Sequence, residues 1–250
     1  LAFTDVRQTE LGQLAYKDAP GGSETPLSGF RLLPEAAFAF DARISLARHA
    51  EKSLDVQYYL IENDDVGLLF LKELREAAAR GVRVRLLVDD LYTGGADEVF
   101  STFSAFPNVE VRLFNPLPSR SSSLATRLAL SITDFGRINH RMHNKLLIAD
   151  NSFAVSGGRN IANEYFMRST AANFIDMDVI SCGPVVRQMS DGFDRYWNSP
   201  HVRPIENIAP LAMTPEAAQR RFDEIARTAV PDVPIRPRDI LDKSPVGEQL

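Results

Sequence analysis

Between residues 54 and 114, three runs of branched and aromatic residues alternate with two stretches of helical periodicity. Leu54-Asp55-Val56-Gln57-Tyr58-Tyr59-Leu60-Ile61 reads as a strand, and Val66 to Arg80 as a helix stopped by Gly81. Val82 to Val88 reads as a second strand, Ala96 to Phe106 as a helix, and Val109 to Phe114 as a third strand. A parallel neighbour cannot be reached by a tight turn, so such alternation implies strands joined through right-handed helical crossovers. The expected class is α/β: a mixed, largely parallel β-sheet flanked by helices on both faces.

Upstream, Ala37, Phe40, Ile44 and Ala47 recur at three- and four-residue spacing and predict a helix from Pro34 to about Lys52. Residues 1–33 are Gly-, Pro- and polar-rich and read as an extended lead-in, loosest at Pro20-Gly21-Gly22-Ser23. Downstream, Pro116, Pro118 and Ser121-Ser122-Ser123 open a long loop over 115–138, within which Leu124 to Ile132 reads as a short apolar helix. Two close-set strands follow, Met142 to Ala149 and Ser152 to Ser156, meeting at an Asp150-Asn151 turn. Asn160 to Phe166 reads as a helix, Phe174 to Ser181 as a strand and Pro184 to Trp197 as a helix. The main domain is therefore expected over 34–199. The Pro-rich remainder, 200–250, holds one helix (Pro215 to Thr228) and a linker-like tail.

Charge narrows the partners. The chain has 28 Lys+Arg against 33 Asp+Glu, a formal net charge of −5. That balance argues against residence on duplex nucleic acid by bulk charge. No stretch nears the roughly 18 uninterrupted apolar residues of a membrane span. One cysteine, Cys182, excludes an internal disulfide and a cysteine-based zinc site, and reads as a small buried hydrophobe. Residue 1 is Leu, so the natural N-terminus is expected to have been trimmed.

The chemistry concentrates in His143-Asn144-Lys145-Leu146-Leu147-Ile148-Ala149-Asp150 and Gly157-Gly158-Arg159-Asn160. On a strand, His143 and Lys145 project on the same side. An imidazole beside an ammonium suits a phosphate: the ring nitrogen attacks phosphorus while the cation neutralises the oxygens. Asp150 has the opposite parity and should point away. Gly157 and Gly158 would open a close backbone approach, and the following helix would aim its N–H groups and Asn160 at the anion. A carboxylate on the second ring nitrogen would fix the tautomer, and Asp176 and Asp178 are the candidates. Arg137, Arg141, Lys145 and Arg159 gather positive charge around the motif.

The pattern His-x-Lys-x(4)-Asp-x(6)-Gly-Gly-x-Asn resembles the signature motif of the phospholipase D superfamily. Leu54 to Tyr59, Arg80 to Leu87, Glu110 to Pro116, Arg141 to Lys145 and Gly157 to Ile161 are similar to the N-terminal half of bacterial cardiolipin synthases of the C type. The resemblance spans roughly Gly29 to Asn198. It implies a phosphatidyltransferase working through a phosphohistidine without a metal or other cofactor. His143 would be the nucleophile, Lys145 and Asn160 phosphate ligands, Asp176 the group orienting the imidazole, and Asp150 a structural member of the motif. It also implies an anionic, phosphatidylglycerol-like phospholipid substrate, peripheral membrane contact, and a place at the bacterial inner membrane or its periplasmic face.

One departure bears on mechanism. Such enzymes carry two motifs sharing one site, as nucleophile and general acid, whereas His143 alone among His49, His140, His143 and His201 begins a His-x-Lys. A second half in cis or a homodimeric partner is expected. The alternatives are a single-motif homodimeric nuclease, which the acidic charge disfavours, and a half-domain that binds lipid or phosphate without turnover. Two rival readings stand beside these. Asp89-Asp90 at a strand's carboxyl end could hold Mg²⁺, whereas activity indifferent to chelators is the primary expectation. His140 and His143 could ligate a metal, but their spacing suits a helix and the segment reads as strand. Tyr58 and Tyr59 lie on opposite faces, one for the core and one for the site, while Trp197 reads as packing.

Overall fold

In chain order the elements are α1 (Glu10–Lys17), β1 (Gly29–Leu33), α2 (Ala36–His49), β2 (Ser53–Tyr58), α3 (Asp65–Ala79), β3 (Arg83–Asp89), α4 (Asp97–Phe103) and β4 (Val109–Phe114). They continue with β5 (Lys145–Ala149), β6 (Phe153–Gly157), β7 (Asp178–Cys182), α5 (Pro184–Trp197), β8 (Val202–Pro204) and α6 (Pro215–Arg227). The structure is a computed structural model and describes residues 1–17, 27–120, 123–126 and 140–227.

The strands form one sheet in the order β1-β7-β6-β5-β2-β3-β4-β8. The α/β class and the mixed sheet are as expected, but the sheet is not largely parallel: only β2, β3 and β4 run parallel to one another. The other pairings are antiparallel, because from β5 onward the chain returns through hairpins and edge strands rather than helical crossovers. Strand alternation divides the core. Leu54, Val56 and Tyr58 of β2 and Val84, Leu86 and Val88 of β3 pack with α2, α3, α4 and α6. Leu87, Leu146 and Ile148 face Val186, Phe193 and Trp197 of α5. Burying each such side chain is worth roughly 1.5–3 kcal/mol, so the two layers fix the strand register.

The local punctuation explains the boundaries. Asp64 caps α3 by accepting from the Gly67 amide at 2.9 Å, and Gly81 takes φ +96° just beyond its end. Asp150 and Asn151 take φ +49° and +51° at the β5–β6 turn, a conformation Asp and Asn tolerate best after glycine. On the α5 face the buried Arg85 pairs with Asp55 at 2.7 and 2.8 Å and with Asp194 at 2.7 Å, its guanidinium over Phe193 and Trp197. Trp197 is therefore packing.

Several expectations change. The lead-in 1–33 carries α1, whose Leu11 and Ala15 are buried, and the edge strand β1. In 200–250, β8 pairs with β4, and α6 packs on α3 and α4. The strand expected over Phe174 to Ser181 starts only at Asp178. The helix expected over Asn160 to Phe166 shrinks to a 3-10 turn, Asn163–Phe166, because Ile161 bridges to Ile61 instead. Arg137, most of the expected Leu124 to Ile132 helix and the tail beyond 227 lie outside the described residues.

Candidate active site

Register brings the reactive pair to one end of the sheet. Tyr58, the last residue of β2, pairs with Lys145, the first of β5, so His143 stands on the lip just before the strand. Asp89, ending β3, holds that lip by accepting from the Met142 amide at 2.8 Å, and Gln57 donates to the Met142 sulfur at 2.9 Å. The His143 side chain is exposed, whereas Lys145 is only 5% exposed. The Lys145 ammonium donates to the His143 carbonyl at 2.8 Å and stands 3.1 Å from His143 Nδ1. Imidazole and ammonium share one side.

Their protonation follows from that geometry. Burial pushes the Lys145 ammonium down to about 8, and the fields of Asp176 and Asp89 only partly oppose it. Partial burial, then the neighbouring Lys145 charge, holds His143 below the ordinary imidazole value. Near neutral pH the site therefore pairs a neutral imidazole with a cation, as attack on a phosphate requires.

The remaining motif residues divide. Asp176 precedes β7, accepts from the Met177 amide at 2.7 Å and lies against Gly158. Among the described residues none of its hydrogen bonds reaches His143; its influence falls on Lys145. Gly157 and Gly158 make room for this neighbouring segment rather than for an anion. A Cβ on Gly157 would stand 2.1 Å from Asp178 Oδ1, and one on Gly158 would stand 2.0 Å from Asp176 Oδ1. Gly157→Ala should therefore cost about 1–3 kcal/mol, read as a lower urea midpoint; an unchanged midpoint would mean that the β6–β7 contact yields freely. Asn160 is buried, donates to the Tyr165 hydroxyl at 2.9 Å and keeps Oδ1 without a partner. The single turn after it gives no helix terminus for an anion, which corrects that part of the expectation.

Asp150, Arg141 and Arg159 turn inward. Asp150 sits at the far end of β5 from Lys145, fully buried, and accepts from the amides of Glu51 (2.9 Å), Lys52 (2.8 Å) and Ser53 (2.9 Å). Arg141 donates to Asp89 and to the Asn115 carbonyl, both at 3.1 Å, so it braces the lip rather than opening to a substrate. Arg159 is 1% exposed and bonds Asp178 and the carbonyls of Leu33 and Pro34. Asp178 is thereby removed as a partner for the imidazole: Arg159 and the fully buried Arg43 both pair with it, at 3.3 and 3.0 Å. The acidic pair proposed for Mg²⁺ is likewise engaged. Asp89 accepts from Met142, Leu91 and Arg141, and Asp90 from Arg120 and the Leu117 amide. Among the described residues no cluster of three His, Cys, Asp or Glu could hold a metal ion.

Two groups near the site were not assigned by sequence. Arg43 donates to the Tyr58 hydroxyl at 2.8 Å and so places Tyr58 in the core. Tyr59 turns to the site, its ring 4.5 Å from the His143 ring and 5.0 Å from Lys145 Nζ, with Tyr92 packed edge-on against it. The Tyr58-Tyr59 alternation pointed to one such residue; nothing in the sequence marked Arg43.

Comparison with known proteins identifies the family. The family model described as "Cardiolipin synthase, PLD-like domain" matches residues 44–197. Cardiolipin synthase C of Escherichia coli is 44% identical over 176 residues, covering 70% of this chain and 36% of that protein. An uncharacterized protein of Helicobacter pylori is 36% identical over 227 residues, covering 89% of this chain and 43% of that protein. The chain thus spans less than half the length of these relatives. Phosphatidylserine synthase of Haemophilus influenzae shares the fold at a TM-score of 0.55 and 15% identity, over 79% of this chain and 43% of that one. Spanning both the paired imidazole and ammonium and strands β2 to β7 that carry them, the match places this chain in the phospholipase D-like family of cardiolipin synthase domains.

Proposed function

We infer that the chain is one catalytic half of a phosphatidyltransferase that cleaves a phospholipid phosphodiester through a phosphohistidine. The observation that carries this reading is an exposed imidazole standing 3.1 Å from a buried ammonium. While Lys145 donates to Nδ1, that lone pair is engaged. An incoming phosphate oxygen is a stronger, charge-assisted acceptor, so substrate binding draws the ammonium off the ring and frees the imidazole. A ring nitrogen then forms the N–P bond as the bond from phosphorus to the departing alcohol breaks. The alcohol leaves with a proton from a general acid on a second motif, in cis or from a second copy. The hydroxyl of an acceptor lipid then forms an O–P bond, giving its proton to that same group now acting as base, and the N–P bond breaks to restore the histidine. Lys145 neutralises the phosphate oxygens, Asp176 supports the Lys145 charge, and Asn160, whose Oδ1 is buried without a partner, stands at the same end of the sheet.

The similarity to cardiolipin synthases supports a phospholipid substrate; we take the donor to be anionic and phosphatidylglycerol-like, met at the bacterial membrane surface. No helix among the described residues is long and apolar enough to cross a membrane. The test is incubation of a protein carrying both motifs with vesicles of labelled phosphatidylglycerol. Release of glycerol with formation of a two-phosphate lipid supports transfer; phosphatidic acid alone would reassign the reaction to hydrolysis.

The pH profile gives a second check. Attack needs His143 neutral, which holds above its lowered value, and Lys145 charged, which holds below about 8. The kcat/KM profile should fall through pH 8, and Lys145→Arg should move that limb beyond the measurable range, because a guanidinium keeps its proton. A wild-type profile flat to pH 10 would detach Lys145 from the chemistry.

A further inference from the structure

We propose that Tyr59 is the positioning residue of this site: its ring face holds the Lys145 ammonium while its flank sets the plane of the His143 imidazole. The inference rests on the reading of the pair just given. Two of the three Lys145 protons find acceptors on His143, leaving one direction for a further neighbour. The Tyr59 ring lies 5.0 Å from Nζ, inside the roughly 6 Å range of a cation over an aromatic face. The same ring meets the His143 ring at 4.5 Å with 52° between planes, so one side chain touches both reactive groups.

Tyr59 is itself fixed. It follows β2 directly, and Tyr92 packs on it edge-on at 5.4 Å and 84°. Burial, then Tyr92, holds its phenol above the ordinary value, so the ring stays uncharged while Lys145 titrates. An aromatic face has a further property that an aliphatic wall lacks. It excludes water from the ammonium, as any apolar group would, but its quadrupole also favours the charged form. Tyr59 would thus keep a lysine that burial tends to neutralise charged enough to meet a phosphate.

Titration of Lys145 in the 250-residue chain tests this without any turnover. Five lysines are present, so a lysine-labelled chain gives few signals, and Lys145→Arg identifies the one of interest. Tyr59→Leu keeps an apolar wall but removes the quadrupole, and Lys145 should then titrate about half a unit to one unit lower. Tyr59→Phe keeps the ring face and should leave that titration in place. Progressively fluorinated phenylalanines at position 59 keep the shape and should lower it stepwise, which serves if the leucine variant does not fold. In the transfer assay the falling limb should move with the titration. An unshifted or raised Lys145 value in both the leucine and fluorinated series overturns the proposal. Failure of the unsubstituted enzyme to form a phosphohistidine, with the Lys145 shift intact, would instead overturn the reaction assigned above and leave the role of Tyr59 standing.

Discussion

Replacing His143 by alanine in a protein carrying both motifs should lower phosphodiester turnover by at least about 10⁴-fold, since removing a nucleophile forfeits the covalent route altogether. Stability should hardly change, because the ring stands exposed on a lip that its neighbours hold: Asp89 fixes the Met142 amide and β5 begins at Lys145. The pairing of a large kinetic loss with an unchanged melting temperature separates a chemical role from a structural one. Lys145→Ala should also be severe, yet it removes a buried cation and so mixes both effects; the histidine variant is cleaner. Residual turnover within tenfold of wild type would mean that another group attacks phosphorus.

Asp150→Ala should do the reverse. Three backbone amides converge on one fully buried carboxylate, and alanine would leave all three without an acceptor. Hydrogen bonds to a charged group contribute roughly 1.5–3 kcal/mol each, and sharing one acceptor brings the expected sum to about 3–5 kcal/mol. Alanine must also occupy φ +49°, which Asp tolerates better. For a chain of this size the melting temperature should fall by roughly 6–20 °C. Asp150→Asn, which keeps one acceptor oxygen and the turn preference, should lose about half as much. The motif's third named residue thus ties the β5–β6 turn to the start of β2. A stable Asp150→Ala chain unable to form the covalent intermediate would contradict this and return Asp150 to the chemistry.

The sequence showed the central strands and the reactive pair because both are local. A helical run ended by Gly81 and the branched run after it mark the crossover from α3 to β3, and two-residue spacing alone puts His143 beside Lys145. What it hid is non-local. The edge strand β1 reads as loop because Phe30 and Leu32 are exposed and its partner β7 lies about 150 residues away. Parity left Asp176 and Asp178 equivalent; the choice depends on Arg43 and Arg159, which converge on Asp178 from distant segments. The charges gathered around the motif looked like a basic patch, but Arg141 and Arg159 are committed to Asp89 and Asp178. Charge counted along a sequence does not reveal its partners. The paired glycines likewise mark a close approach, but the approaching group is the 176–178 segment.

The most direct measurement is mass spectrometry of the enzyme quenched with denaturant at neutral pH during turnover on phosphatidylglycerol vesicles. An acid-labile phosphatidyl adduct on the peptide containing His143, absent in His143→Ala, is the predicted result. An adduct on a different residue, or turnover at full rate with no adduct at any quench time, would contradict covalent transfer through this imidazole.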